Sequence, residues 1–183
     1  MDLESRILTL ENELRGLKSL VGQSNPQVLY NKALDAQFEP FRSCAARAYK
    51  AAPDQAIDHN VATPVSGYTE SWDTGSNFAS DKYVASVTGY YHVDARIEFY
   101  DATGKLVIAY GEVYLNGSPV FRLSEWWGTD KSYAGSSGSD VVSMTAGQYL
   151  ELYGYIQTSD VGAAVMVAGS TLTFMTVHLV STP

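Results

Sequence analysis

The residues best suited to hold a ligand lie in one stretch, Glu125-Trp126-Trp127-Gly128-Thr129-Asp130-Lys131-Ser132-Tyr133. Neighbouring residues of a strand point to opposite faces, so Trp126 and Trp127 cannot both be buried on one side. One of them is expected to face solvent or another copy of the chain, close to a loop. An exposed indole beside Tyr133, Asp130 and Lys131 would suit a sugar: the apolar ring face stacks on the aromatic and polar groups take the hydroxyls. The bland alternative packs one indole in the core and the other between subunits. Trp72, in Thr69-Glu70-Ser71-Trp72-Asp73-Thr74-Gly75, carries the same two readings.

Catalytic chemistry finds less support. Glu112 with Glu125, or Asp94 with Glu98, could flank a glycosidic bond as a carboxylate pair. Acidic residues on the solvent face of a strand are ordinary, however, and nothing in the spacing ties these into a site. His59, His92 and His178 are far apart, and none has a second ligand at metal-site spacing. Cys44, in Arg42-Ser43-Cys44-Ala45-Ala46-Arg47, reads as a small buried hydrophobe rather than a nucleophile. No nucleophile elbow, phosphate loop or dinucleotide fingerprint is present. Asp73-Thr74-Gly75-Ser76-Asn77 places oxygen ligands on a tight loop, as calcium sites do, but without the full spacing of a known calcium loop. A turn capped by Asp73 accounts for it equally simply. The expectation is a protein that is not an enzyme and needs no cofactor, with calcium the one ion the chain could take.

The elements that must position these residues are mostly strands. Of 183 residues, 45% are hydrophobic and 17% charged, enough for one compact domain and a stalk. Thirteen tyrosines and fifteen glycines favour strands and turns. The formal charge of -8 disfavours nucleic acid and anionic membranes, and three copies together would carry -24. A single cysteine forbids an intrachain disulfide. Met1 leads into charged heptads rather than an apolar leader, and no stretch reaches the ~20 apolar residues of a membrane helix. Assembly in a cytoplasm is expected, with action outside a cell still open, for example on a virus particle.

The first 22 residues have a different period. Leu3, Ile7, Leu10, Leu14, Leu17 and Val21 alternate at spacings of four and three, with Ile7, Leu14 and Val21 at a and Leu3, Leu10 and Leu17 at d. Arg6 and Glu13 at g face Glu11 and Lys18 at the following e positions, so a parallel bundle pairs opposite charges both times. Arg6-Ile7-Leu8-Thr9-Leu10-Glu11 also resembles the short trimerisation motif of parallel coiled coils. The expected organisation is a trimeric coiled-coil stalk at 1–22, a neck at 23–40 and a β head at 41–183. At about 1.5 Å per residue the stalk is a stub of roughly 30 Å, so the head must help to hold the trimer. Within the neck, Asn25 can cap a short helix that Pro40 stops, with a strand as the alternative.

Beyond Phe41, short runs rich in Val, Tyr, Thr and Phe alternate with turns at roughly ten-residue spacing, as in a sandwich or barrel. Strands are expected at 83–91, 95–100, 106–115, 120–127, 141–144, 149–157 and 172–180. Asp101-Ala102-Thr103-Gly104 reads as a hairpin turn with Gly104 at positive φ, Asn116-Gly117 as a two-residue turn, and the Gly- and Ser-rich run at 128–140 as a loop.

Several of these segments resemble, in order, the globular head of complement C1q and its tumour-necrosis-factor relatives. Ser76-Asn77-Phe78 followed by Val87-Thr88-Gly89-Tyr90-Tyr91-His92-Val93 resembles the family's Asn-Phe and Gly-x-Tyr. Val113-Tyr114-Leu115-Asn116-Gly117 resembles its long strand ending in Asn-Gly. Val141-Val142-Ser143-Met144-Thr145-Ala146-Gly147 resembles its segment before Gly-Asp, with Gln148 in place of Asp. Gly169-Ser170-Thr171-Leu172-Thr173-Phe174 resembles its closing strand, with Leu172 where Phe is usual. The resemblance covers about 46–180. It implies a jelly-roll sandwich that trimerises on a stalk, here a coiled coil in place of collagen, as in heads of bacteriophage fibres and bacterial adhesins. Its implied partners are a second and third copy, a host-surface glycan or protein at the head, and another virion protein at the N-terminus. Structural decoration without receptor binding and a bacterial adhesive tip are the alternatives. Tyr90, Tyr91, Tyr153, Tyr155 and Phe174 are candidates for the three-fold axis or, equally, for the protomer core.

Overall fold

The computed structural model describes residues 44–160 and 164–183. The stalk residues Leu3, Arg6, Ile7, Leu10, Glu11, Leu14, Leu17 and Val21 and the neck helix therefore lie outside the described residues. The rest is a two-sheet β sandwich. Sheet A is built on β7 (Gly89–Asp101), flanked on one edge by β10 (Tyr133–Met144) and on the other by β13 (Phe174–Ser181) and the short β12 (Ala164–Met166). Beyond β13 come β1 (Ala45–Lys50) and β4 (Tyr68–Asp73), and β2 (Gln55–Ala56) borders β12. Sheet B runs β5 (Phe78–Ala79), β6 (Lys82–Val84), β11 (Tyr149–Thr158), β8 (Leu106–Leu115), β9 (Ser118–Lys131), with β3 (Thr63–Pro64) also on β11. All these pairings are antiparallel, and the chain crosses repeatedly between the sheets, which is the jelly-roll arrangement.

Period-2 patterning builds the core. On β7, Tyr91, Val93, Ala95, Ile97 and Phe99 point inward while Tyr90, His92, Asp94, Arg96 and Glu98 point outward. Leu150, Leu152 and Ile156 on β11 and Met175 and Val177 on β13 close the same core from both sheets. Cys44 is fully buried, with Sγ 3.2 Å from the Ser86 hydroxyl, and its carbonyl accepts from Tyr83 and from the Leu179 amide. Turn chemistry holds the connections. The buried Asp101 carboxylate accepts from the amides of Thr103 and Lys105 at 2.9 and 3.1 Å. Asn116 and Gly117 both take positive φ (51° and 78°), as a two-residue hairpin turn demands.

Three expectations are corrected. The turn at 101–104, with Gly104 at φ 68°, closes no hairpin: β7 lies in sheet A and β8, which follows it, pairs with β11 and β9 in sheet B. The strand expected at 83–91 is broken: β6 ends at Val84 and β7 starts at Gly89, then continues without interruption through 95–100. The Gly- and Ser-rich run at 128–140 is not a loop; β9 extends to Lys131, only Ser132 intervenes, and β10 pairs with β7 along its whole length. Small residues suit the close packing there. A Cβ on Gly138 would lie 3.3 Å from the Leu123 backbone, and one on Gly135 2.9 Å from the Glu98 carboxylate. Ser136 is buried because its hydroxyl donates to the Ser124 carbonyl and accepts from the Gly111 amide. The short residues permit close approach of β10 to its neighbours rather than marking chain freedom.

Candidate functional site

The edge of the sandwich where β9 passes into β10 carries most of the suspected binding residues. Trp126 pairs with Ala109 on the inner side of sheet B and packs against the core. Its ring lies across Gly128, where a Cβ would come within 2.3 Å of the indole. Trp127, one residue on, opposes Ile108 on the outer face and is 68% exposed. The two indoles thus divide between core and surface, as strand alternation requires. Asp130 has a positive φ of 45°, accepts from the Ser159 hydroxyl at 2.6 Å and lies 3.7 Å from the Lys105 ammonium. The Ser159 hydrogen bond, with Lys105 beside it, holds the Asp130 carboxyl below its usual range. Lys131 is exposed at the strand end. Tyr133 begins β10, is 61% exposed, and rests against Tyr100 with ring centroids 4.6 Å apart. Trp127 lies near the end of β9 on sheet B and Tyr133 opens β10 on sheet A, with Asp130 and Lys131 between them in the chain. Trp72 does not join them; it sits on β4, at the far edge of sheet A from β10, paired with Arg47 and 43% exposed.

The outer face of sheet B is closed by its own side chains. Tyr110 stacks on Tyr155 (4.6 Å, 17°) and Tyr114 on Tyr153 (4.0 Å, 23°). The Arg122 guanidinium lies 3.9 Å from the Tyr110 ring and the Lys82 ammonium 4.1 Å from Tyr149. Arg122 also reaches Glu112 at 2.9 Å and Glu125 at 3.3 Å, and Lys82 reaches Glu151 at 3.1 Å. Burial raises the phenol pKa of Tyr110, Tyr114 and Tyr153. Stacking covers one face of each ring, and Arg122 covers Tyr110 as well. Glu112 and Glu125 hold one arginine between them, and Glu98 is taken by Arg96 at 2.7 Å. Three of the four candidate carboxylates, Glu112, Glu125 and Glu98, are thus engaged in ion pairs.

Sheet A's outer face differs. Phe174 lies under the Arg47 guanidinium at 4.7 Å and opposite Arg96. Toward the other end, His92 and His178 are register partners with ring centroids 4.9 Å apart. Sequence analysis missed this pair, since only the strand register places residues 86 positions apart side by side. Of the five aromatics weighed for the three-fold axis, Tyr91 is in the core, Tyr153 and Tyr155 are on sheet B, and Tyr90 and Phe174 are on sheet A. They share no single face. The proposed calcium loop is an Asx turn: Asp73 Oδ1 accepts from the Gly75 amide at 3.1 Å and Oδ2 from the Phe78 amide at 2.7 Å. Among the described residues, no three His, Cys, Asp or Glu side chains gather as a metal set would, and no helix is long and apolar enough to cross a membrane.

No family model matches the chain, and no curated protein matches its sequence. Solved structures do share the fold. An Eiger TNF from S. frugiperda superposes with a TM-score of 0.58 at 11% identity, over 76% of this chain and 94% of that one. The globular domain of a zebrafish complement 1qA protein gives 0.54 at 13% identity, over 77% and 99%. Murine APRIL gives 0.55 at 14% identity, over 75% and 98%. At such identities the likeness is one of architecture: the head is a jelly roll of the TNF and C1q type.

Proposed function

We propose that this chain is a homotrimeric attachment protein, a fibre-tip component of a bacteriophage particle assembled in the host cytoplasm. The heptad residues Leu3 to Val21 set a parallel trimeric stalk and join the head to another virion protein. The β head presents its rims to a host-surface glycan. Three linked copies would multiply a weak single-site affinity, and no catalytic step is required.

The observation that carries this reading is Trp127. A tryptophan that is 68% exposed on β9, the edge strand of sheet B, contributes little to protomer packing. Three residues along the same strand, Asp130 is fixed by Ser159 and Lys105, so a charged acceptor is held in place near the end of β9. An apolar plate with ordered polar neighbours is what sugar recognition needs. The test is binding of the full chain to intact host cells and to an immobilised glycan panel. Wild type is expected to bind, and Trp127→Ala to lose at least about tenfold in affinity, the equivalent of one stacking contact of roughly 1.4 kcal/mol. Equal binding by the two proteins would remove the rim from the mechanism. If Trp127→Ala instead dissociates the oligomer, the indole is a subunit contact, and a purely structural decoration becomes the better reading.

A further inference from the structure

We propose that the end of the sandwich where β1 meets β4 holds one chloride-sized anion against the ammonium of Lys50, with the Tyr68 hydroxyl as a second donor. Such a site belongs to the single protomer and depends neither on its oligomeric state nor on glycan binding.

Lys50 ends β1 on the inward side of the strand, in line with Ala46 and Ala48. Only 5% of it is exposed, an unusual burial for a lysine. An ammonium carries three donors. Nζ gives one to the Ala51 carbonyl at 3.0 Å, and no Asp or Glu among the described residues forms an ion pair with it. A buried cation served by one carbonyl has most of its lost hydration unreplaced. Tyr68 stands across the strand pair. The Lys50 amide donates to Thr173 on its other side and the Ala51 amide to Gly67. Lys50 and Tyr68 are therefore a non-hydrogen-bonded pair, the kind whose side chains approach most closely. The Tyr68 ring packs edge-on against buried Phe78 at 5.2 Å, and its hydroxyl is buried without a partner. Burial, with Asp81 acting in the same direction, raises the phenol pKa, so the group stays a neutral O–H donor. Two cross-strand neighbours thus bring spare donors to one end of the core, where buried polar atoms call for partners.

Gly67 leaves the room. Its φ of 71° lies in the left-handed region that glycine tolerates best. A Cβ built there would have Nζ at 3.2 Å and, its chain neighbours apart, no other atom within 4 Å. The place of one methyl group is therefore open directly beside the ammonium, and it adjoins an exposed residue that solvent ions can reach. Space of that size suits a monatomic ion better than phosphate or a carboxylate group. The donors decide its sign, since an ammonium and a phenol O–H attract an anion and repel a cation. The acids of the adjoining loops do not fill the role. Asp81 Oδ1 accepts from the Tyr68 amide at 2.9 Å and Asp54 Oδ1 from the Ala168 amide at 2.8 Å.

Anion-specific stability tests the proposal. The full chain is unfolded in urea at fixed protomer concentration and fixed ionic strength, with sodium chloride or sodium gluconate as the salt; gluconate is too large for a methyl-sized space. The wild-type unfolding equilibrium constant is expected to be at least about tenfold lower in chloride, as for a ligand at ten times its dissociation constant. Lys50→Met keeps a buried stem and removes the charge, and its constants in the two salts are expected to agree within about twofold. Tyr68→Phe keeps the ring and is expected to show a clearly smaller chloride effect than wild type. In crystals of wild type, bromide in place of chloride is expected to give an anomalous-scattering peak beside Lys50 Nζ. A wild type indifferent to chloride would overturn the proposal. So would a chloride effect in Lys50→Met as large as in wild type, because the anion would then act elsewhere, or bromide peaks found only at other positions.

Discussion

Trp126 and Trp127 are adjacent, identical in type and opposite in consequence. Trp126 rests on Gly128 against the core, so Trp126→Ala removes packing that the strand cannot refill. A loss of about 2–4 kcal/mol is expected by urea denaturation at fixed protomer concentration. Trp127→Ala, made on the exposed side of the same strand, is expected to change stability by less than about 0.5 kcal/mol while weakening cell binding. A second contrast lies at the turn after β7. The buried carboxylate of Asp101 satisfies two backbone amides and the Thr103 hydroxyl. Asp101→Ala leaves those donors without their acceptor and is expected to cost about 1–3 kcal/mol in the same measurement.

Strands in this head are specified as much by small residues as by large ones. Gly154 of β11 sits where a Cβ would come within 2.7 Å of Met166 Sδ and 2.9 Å of the Phe99 ring. Gly154→Ala overpacks that layer, and a destabilisation of about 1–3 kcal/mol is expected from chemical denaturation. At the β9–β10 crossing, Ser136 bridges Gly111 of β8 and Ser124 of β9. Ser136→Ala removes that bridge and leaves a buried amide unpaired, so faster hydrogen exchange at Gly111 is expected, read by mass spectrometry or NMR. The tyrosines of sheet B serve the element that holds them. Cross-strand stacks of β8 on β11, with Arg122 of β9 over Tyr110 and Lys82 of β6 over Tyr149, tie the four strands together.

At the scale of the whole molecule, the prediction is mass. Three chains of 19.9 kDa amount to about 60 kDa. Light scattering of the full chain is expected to give that value, and a chain beginning at Phe41 tests how much of the association the head supplies. If the shorter chain also stays trimeric, the head holds the assembly and the stalk sets its orientation. If it falls to monomers, the heptads hold the assembly. A monomeric full chain would remove both the stalk and the avidity argument.

The linear pattern determined the β character of the head, its turns at Asp101 and Asn116-Gly117, and the opposite fates of adjacent tryptophans. Each of these follows from alternation or from local backbone chemistry, and alternation survives any register. The order and spacing of Gly-x-Tyr, Asn-Gly and the closing Ser-Thr-Leu-Thr-Phe segment were enough to suggest the TNF and C1q type of jelly roll. What the sequence could not determine is non-local. Gly and Ser between 128 and 140 satisfy a loop as well as a close crossing, and only the approach of Leu123 and Glu98 distinguishes the two. Which tyrosines share a face, and that His92 meets His178, depend on the register between strands far apart in the chain. A slip of one residue would turn each of those side chains to the other side of its sheet, so the tertiary structure alone could decide them.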